Sequence, residues 1–427
     1  MGAMYSLKPS RFLQRAIFHS SCILIALIAG GCASKGPLRE PLTPVAHVGE
    51  PAFTQSIGVS LSGGFLPGNK IETLENGDQI FPAMLSAIHQ SKQSVNFETF
   101  VYYGDQTGRM FTDALIERAR AGVPVRVIVD AVGGNKSRQY RNEMRAAGVE
   151  VQAFHPLLAI NPFRANHRTH RKLLIVDGRI GFIGGVGIGD EWTGNAQSPK
   201  HWHDLHYRVQ GPVVLQLQSA FLDNWLKVRQ EMLQGVAFFP NLGAAGTMHA
   251  AAYSSSPLRS QFSSELMYHL SIAAARKNIL IENPYFLPDK TLVAALCNAA
   301  QRGVNVQIML PGKHMDQKNV QRASRKRWKT LLRAGVKIYE YEPTMNHTKL
   351  LIVDGEFASI GSTNLDPRSL RINDEANINV MDREFARSQE AIFFRDLKKC
   401  HEVHLNSAGN IADLPLQLVT TPLETQL

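Results

Sequence analysis

The sequence predicts an α/β protein of two similar halves, each a mixed, mostly parallel sheet flanked by helices. The halves are expected to be related by a pseudo-two-fold and to share one active site. Three observations carry this. A short signature occurs twice, 177 residues apart: His170-x-Lys172-x4-Asp177 leading to Gly184-Gly185, and His347-x-Lys349-x4-Asp354 leading to Gly361-Ser362-x-Asn364. The segments upstream of each copy are duplicated as well. In both copies short apolar strands alternate with helical stretches, the pattern of an α/β fold. The chain has 427 residues, ample for two cores.

The chain opens with Lys8, Arg11 and Arg15 before the apolar run Cys22-Ile23-Leu24-Ile25-Ala26-Leu27-Ile28-Ala29. This has the basic and apolar regions of an export signal, and the run is short for a membrane span. It ends in Ile28-Ala29-Gly30-Gly31-Cys32, which resembles a bacterial lipobox with Ala29 where Leu is usual; Cys32 is the lipidation candidate. Cleavage would leave a lipidated Cys32; otherwise the segment stays as an uncleaved anchor with its basic end inside. Either outcome tethers an exported protein to a membrane of the bacterial cell envelope, on the periplasmic side, with inner or outer membrane undecided. The expected divisions are anchor 1–32, tether 33–57, first half 58–235, connector 236–257, second half 258–404 and tail 405–427. Cys297 and Cys400 complete the four cysteines and leave room for one bridge but no disulfide framework.

Within the halves, Val95-Asn96-Phe97-Glu98 answers Ile279-Leu280-Ile281-Glu282. Ala121-Gly122-Val123 and its following strand answer Arg302-Gly303-Val304 and its strand, and Ala147-Gly148-Val149 answers Ala334-Gly335-Val336. Each signature then reads as a hairpin. Leu173-Leu174-Ile175-Val176 and Leu350-Leu351-Ile352-Val353 are apolar runs closed by Asp177-Gly178 and Asp354-Gly355. Asp-Gly between such runs is a strong hairpin signal, because both turn positions favour positive φ. Folding back returns Gly184-Gly185 to His170 and Ser362-Thr363-Asn364 to His347. His and Lys two positions apart share one face of a strand. The Asp of each signature lies at the turn and is read as architectural first and catalytic second. Two such faces together place two imidazoles and two ammonium groups around one anionic atom, a kit for attack on a phosphodiester.

These residues resemble the phospholipase D superfamily over residues 81–404, most of the chain. Phrases such as Gly189-Asp190-Glu191-Trp192, His201-Trp202-His203-Asp204-Leu205-His206, Phe221-Leu222-Asp223-Asn224-Trp225, Glu282-Asn283-Pro284-Tyr285-Phe286 and Asn364-Leu365-Asp366-Pro367-Arg368-Ser369 resemble the bacterial cardiolipin synthase branch. The resemblance implies catalysis by His170, Lys172, Asp177, His347, Lys349 and Asp354 without metal or cofactor. One imidazole forms a covalent phosphohistidine and the other is acid and then base. Family analogy makes His170 the nucleophile, though the two copies are too symmetrical to decide. Lys172, Lys349 and Asn364 are implied to hold the phosphoryl oxygens, with Ser362 and Gly185 beside them. The family's tautomer-fixing carboxylate matches Asp204 in the first half and Glu375 in the second.

One departure stands out. The first half reads Gly184-Gly185-Val186-Gly187, so Gly187 stands where the family's Asn is expected, removing one phosphate amide. Elsewhere, His201, His203 and His206 have no zinc-like spacing and read as structural or supporting. Gly133-Gly134 reads as a turn rather than as a phosphate cradle.

Net charge is +10, with Lys313, Lys318, Arg322, Arg325, Lys326, Arg327, Lys329 and Arg333 crowded around Trp328. That is either a solvated helix face or a rim attracting anionic phospholipids. Residues 157–166, apolar and ending near Arg164, are either a buried loop or one that dips into a bilayer interface. Three functions follow: a phosphatidyltransferase making cardiolipin, a phospholipase D-type hydrolase (less readily a nuclease), and a non-enzymatic lipid-binding protein. The intact His-Lys pairs stand against the third and the anchor favours lipid over nucleic acid; the expected function is the first, with anionic phospholipids and a membrane as partners and no nucleic acid. Transfer against hydrolysis turns on water exclusion, which the sequence leaves open.

Overall fold

Two copies of one supersecondary unit lie side by side in a single sheet. The computed structural model describes residues 38–61, 63–156, 166–257 and 262–405. The anchor with Cys32, the proposed interfacial loop at 157–165 and the tail from 406 lie outside the described residues.

Helix α1 (Pro51–Ser60) precedes the first unit. That unit runs β1 (Leu66–Glu75), α2 (Asn76–Gln90), β2 (Val95–Thr99), α3 (Gln106–Arg120), β3 (Val125–Asp130), α4 (Arg138–Ala146), β4 (Glu150–Phe154), β5 (Leu173–Val176), β6 (Ile180–Gly184), β7 (Leu205–Gln210) and α5 (Val214–Arg229). The second runs β8 (Met248–Ser255), α6 (Ser263–Ala274), β9 (Asn278–Glu282), α7 (Lys290–Gln301), β10 (Asn305–Pro311), α8 (Lys318–Arg333), β11 (Lys337–Tyr341), β12 (Leu350–Val353) and β13 (Phe357–Gly361). It finishes with α9 (Pro367–Arg371), β14 (Glu375–Met381), α10 (Arg383–Leu397) and β15 (Cys400–Glu402).

All 15 strands join in the order β15-β11-β10-β9-β12-β13-β14-β8-β1-β7-β6-β5-β2-β3-β4. Reading outward from the antiparallel β1–β8 seam, the first seven strands on each side match in order, as a two-fold through the seam requires, and β15 is added at one edge. Mixed sheets flanked by helices agree with expectation, but the balance of pairing does not. Only β2–β3, β3–β4, β9–β10 and β10–β11 are parallel, and all other neighbours are antiparallel. The reason is connectivity. Helix crossovers such as α3 and α7 feed parallel strands, whereas the Asp-Gly hairpins β5–β6 and β12–β13 can only be antiparallel. Both hairpin strands are buried throughout or nearly so, because helices cover both faces of the sheet.

Two boundaries differ from expectation. The connector 236–257 contains β8, which pairs with both β14 and β1 and so forms the seam. The tether 33–57 ends in a docked helix. Pro51 occupies the first turn of α1, where its missing N–H costs nothing. Phe53 and Ile57, one helical turn apart, are buried in the second half's core, with Phe53 edge-on to Phe357 at 5.6 Å. A further apolar layer, from Ile175 and Trp225 to Ile352 and Phe393, runs beneath both halves. Cys297 and Cys400 are free thiols.

Candidate active site

The residues just before β5 and β12 dock onto the opposite half. Thr169 makes a parallel bridge with Asp374, and Asn346 makes one with His203. His170 N–H donates to the Asp374 carbonyl at 2.8 Å, and Asp374 N–H donates to the Arg168 carbonyl at 2.9 Å. Equivalently, His347 N–H donates to the His203 carbonyl at 2.7 Å and His203 N–H to the Met345 carbonyl at 2.9 Å. Each signature therefore lies against the residue that precedes the other half's carboxylate. His170 Nδ1 is 2.9 and 3.1 Å from the two oxygens of Glu375, while His347 Nδ1 is 2.8 Å from Asp204 Oδ2. The dyads are reciprocal: each imidazole is oriented by a carboxylate from the other half, and Nε2 is left as the working nitrogen. Neither half alone has a complete dyad.

Lys172 and Lys349 fold back, with Nζ 2.8 Å from the His170 carbonyl and 2.5 Å from the His347 carbonyl. Lys349 Nζ is also 3.1 Å from His347 Nε2. His170, Lys172, His347, Lys349 and Asn364 are 3–8 % exposed, so charge here is poorly screened. Burial, reinforced by Lys172 and Lys349 and opposed by Glu375, lowers His170 to about 4. Burial, then Lys349, Lys172 and His170, holds His347 well below the usual histidine range. Both imidazoles are thus neutral near pH 7, the form a nucleophile needs. Burial also lowers Lys172 to about 7 and Lys349 to about 8. A phosphodiester anion entering between them would restore their charge and favour an imidazolium.

The residues beside the dyads are not symmetrical. Ser362 Oγ donates to Glu375 Oε2 at 2.5 Å. Its counterpart, Gly185, lies so close to Asp204 that an added Cβ would fall 2.2 Å from Oδ1. Asn364 is buried and its Oδ1 has no hydrogen-bond partner among the described residues. At its counterpart, Gly187, an added Cβ would meet Val101 Cβ at 2.8 Å and the Trp192 ring at 2.9 Å. The position where an Asn is expected is therefore filled by the indole of Trp192.

Asp177 and Asp354 sit away from the imidazoles at the far ends of their hairpins, with φ of 55° and 56°. Asp177 accepts the backbone N–H groups of Lys92, Gln93 and Ser94, and Asp354 those of Arg276, Lys277 and Asn278. Each holds the loop entering β2 or β9, so their place is architectural and the catalytic assignment is corrected. His203 is a bridging residue: Nε2 lies 3.2 Å from Asp396 and Nδ1 2.9 Å from Asn76 Oδ1. Burial opposes its protonation, yet Asp396 prevails and raises it.

Several residues around the dyads were not singled out from sequence. Trp192, Trp202 and Tyr285 surround His347 with ring centroids 5.3–6.0 Å away, whereas among the described residues Phe100 alone stands by His170, at 5.4 Å. Glu98 accepts from Thr169 and Asn224, and Glu282 accepts from Asn346 at 3.2 Å. Burial raises both carboxyls to about 7. The signal for this pair was present, since Glu98 and Glu282 close the matched strands of the repeat.

A duplicated α/β unit with two His-Lys faces and crossed carboxylates defines a phospholipase D-type fold and site. The family model described as "Cardiolipin synthase, PLD-like domain" matches residues 84–198 and 269–397, and the chain belongs to that family. It is 37 % identical over 338 residues to cardiolipin synthase 2 of Bacillus anthracis, covering 78 % of this chain and 66 % of that one. Cardiolipin synthase A of Pseudomonas fluorescens Pf-5 is 35 % identical over 342 residues, covering 79 % and 70 %. The chain thus spans about two thirds, or slightly less, of the length of the Bacillus relatives. Among solved structures, the phosphatidylserine synthase of Haemophilus influenzae Rd KW20 shares the fold, with a TM-score of 0.63 and 14 % identity over 82 % of this chain and 92 % of that one.

Proposed function

We propose that this chain is a membrane-tethered phosphatidyltransferase of the cardiolipin synthase kind. The observation that carries this reading is the pair of reciprocal, carboxylate-held imidazoles flanked by Lys172 and Lys349, all of them buried. His170 Nε2 attacks the phosphorus of a phospholipid, the bond to the head-group oxygen breaks, and His347 gives that oxygen its proton. The neutral His347 then takes the proton of a second lipid's hydroxyl, whose oxygen displaces His170 and forms the new phosphodiester. Lys172, Lys349 and Asn364 stabilise charge on the non-bridging oxygens. The relatives named as cardiolipin synthases support the substrate class. Burial and the aromatic wall at His347 support transfer over hydrolysis, because both limit water at the phosphohistidine.

The tethering part rests on the leader and on charge. No helix among the described residues is long and apolar enough to cross a membrane. Lys318, Arg322, Lys326, Lys329 and Arg333 recur at helical spacing on the outer face of α8, suited to an anionic lipid surface. With Cys32 lipidated or the leader retained, the enzyme works at the periplasmic side of the cell envelope. The test is lipid analysis of a cardiolipin-free host expressing the full chain beside His170→Ala and His347→Ala. Cardiolipin formed only by the intact protein is the expected result. Phosphatidic acid rising instead would move the reading to hydrolysis, and an unchanged phospholipid profile would refute it.

A further inference from the structure

Each catalytic imidazole leans on a carboxylate, and each carboxylate in turn has a donor behind it, but the two donors are chemically different. Behind Glu375 stands the Ser362 hydroxyl. Behind Asp204 no hydroxyl is possible, because Gly185 leaves no room for a side chain. The Trp192 indole Nε1 instead donates to Asp204 Oδ2 at 3.0 Å, on the same oxygen that lies 2.8 Å from His347 Nδ1. The other oxygen, Oδ1, accepts the Leu205 N–H at 2.9 Å. Trp192 is fully enclosed, 4 % exposed, on the turn Asp190–Trp192. That turn is pinned at the start of α3: Asp190 Oδ1 accepts the Thr107 N–H at 2.9 Å, and Asp190 N–H donates to Asp105 at 2.8 Å. The indole ring also lies edge-on to the His347 imidazole at 5.5 Å and occupies the space beside Gly187.

We propose that Trp192 is a positioning residue for His347, replacing in the first half both the Ser hydroxyl and the Asn side chain that the second half retains. Its N–H fixes the Asp204 carboxylate so that Asp204 accepts from His347 Nδ1, leaving Nε2 to exchange protons with the departing and incoming oxygens. A buried acceptor of this kind loses much of its directing power when one donor is removed. The missing Asn at 187 is then a substitution of parts, not a lesion.

This deepens the proposed transferase reading and rests on it for the activity readout alone. The experiment therefore has two arms on the full-length protein. Trp192→Phe keeps an aromatic ring without the N–H, and a variant with 3-benzothienylalanine at 192 keeps the bicyclic shape with sulfur in place of N–H. In the first arm, 15N-histidine NMR titration follows His347. The expected result is a mixture of tautomers and a displaced titration in both variants, with His170 unmoved. In the second arm, kcat for cardiolipin formation falls about tenfold or more with KM little changed, and the acid limb of the pH profile moves. A benzothienylalanine protein whose His347 titration and pH profile match the parent would overturn the proposal. Failure of the parent to turn over phospholipid would sink the transferase reading and leave the NMR arm standing.

Discussion

His170 and His347 occupy equivalent places in a duplicated fold, yet they work under different cover. Among the described residues His170 has one aromatic neighbour, both oxygens of Glu375 within reach, and a serine behind that carboxylate. His347 has three aromatic neighbours, one oxygen of Asp204, and a tryptophan behind it. The difference shows how a duplicated site can specialise. Strand and hairpin geometry preserve where each imidazole is held, while the neighbouring loops decide what surrounds it. Both sides are buried, and the His347 side is walled in addition by rings that restrict water.

The comparison is broken most severely by removing either imidazole. His170→Ala and His347→Ala are each expected to lower turnover at least about a thousandfold, and the double variant little further, because the two act as a unit. Next come the crossed carboxylates. Glu375→Gln and Asp204→Asn should each reduce kcat by roughly 10²–10⁴-fold, as loss of a tautomer-fixing carboxylate does elsewhere. Equal losses from opposite halves would sharpen the reciprocity, and a loss confined to one would weaken it.

Gly187→Asn is a more pointed probe, because it restores the residue the family leads one to expect. The new side chain collides with Val101 and Trp192, so denaturant unfolding should show a loss of about 1–3 kcal/mol. Activity should fall with it; a gain would mean the gap at 187 is a defect. Asp354→Ala and Asp177→Ala remove acceptors from three backbone N–H groups each, costing about 1–3 kcal/mol. Turnover per folded molecule should be unchanged, which separates the turn from the chemistry.

A further expectation concerns pH. His170 falls from 6.5 to about 4 on folding, so between those values the unfolded chain binds more protons. Its contribution to stability is complete above pH 6.5 and is lost as pH falls toward 4. Replacing His170 by Asn should flatten the stability–pH curve in that window.

Much of this was legible in the chain. The spacing of His170, Lys172, His347 and Lys349 reports strand geometry directly, and the Asp-Gly turns report the hairpins. Asp204 and Glu375 were found as a pair, but which imidazole each serves is a tertiary fact, set by the bridges at Asp374 and His203. Strand β8 was missed because Ala250, Ala251 and Ala252 look like linker composition, although they are buried at the seam. Helix α1 was missed because Pro51 reads as tether unless the burial of Phe53 is known. Trp192 carries no signal of its own in the sequence, since nothing in a one-dimensional pattern aims an indole N–H at a carboxylate twelve residues on.

The central claim is most directly tested by trapping the intermediate. The parent protein, mixed with phosphatidylglycerol vesicles and denatured within its first turnover at mildly alkaline pH, where phosphorus–nitrogen bonds and acyl esters both persist, should carry a phosphatidyl adduct on the peptide containing His170, and His347→Asn should form and lose that adduct more slowly. His170→Asn should carry none. An adduct on another residue, or product formed by the parent with no adduct, would contradict the paired-imidazole account.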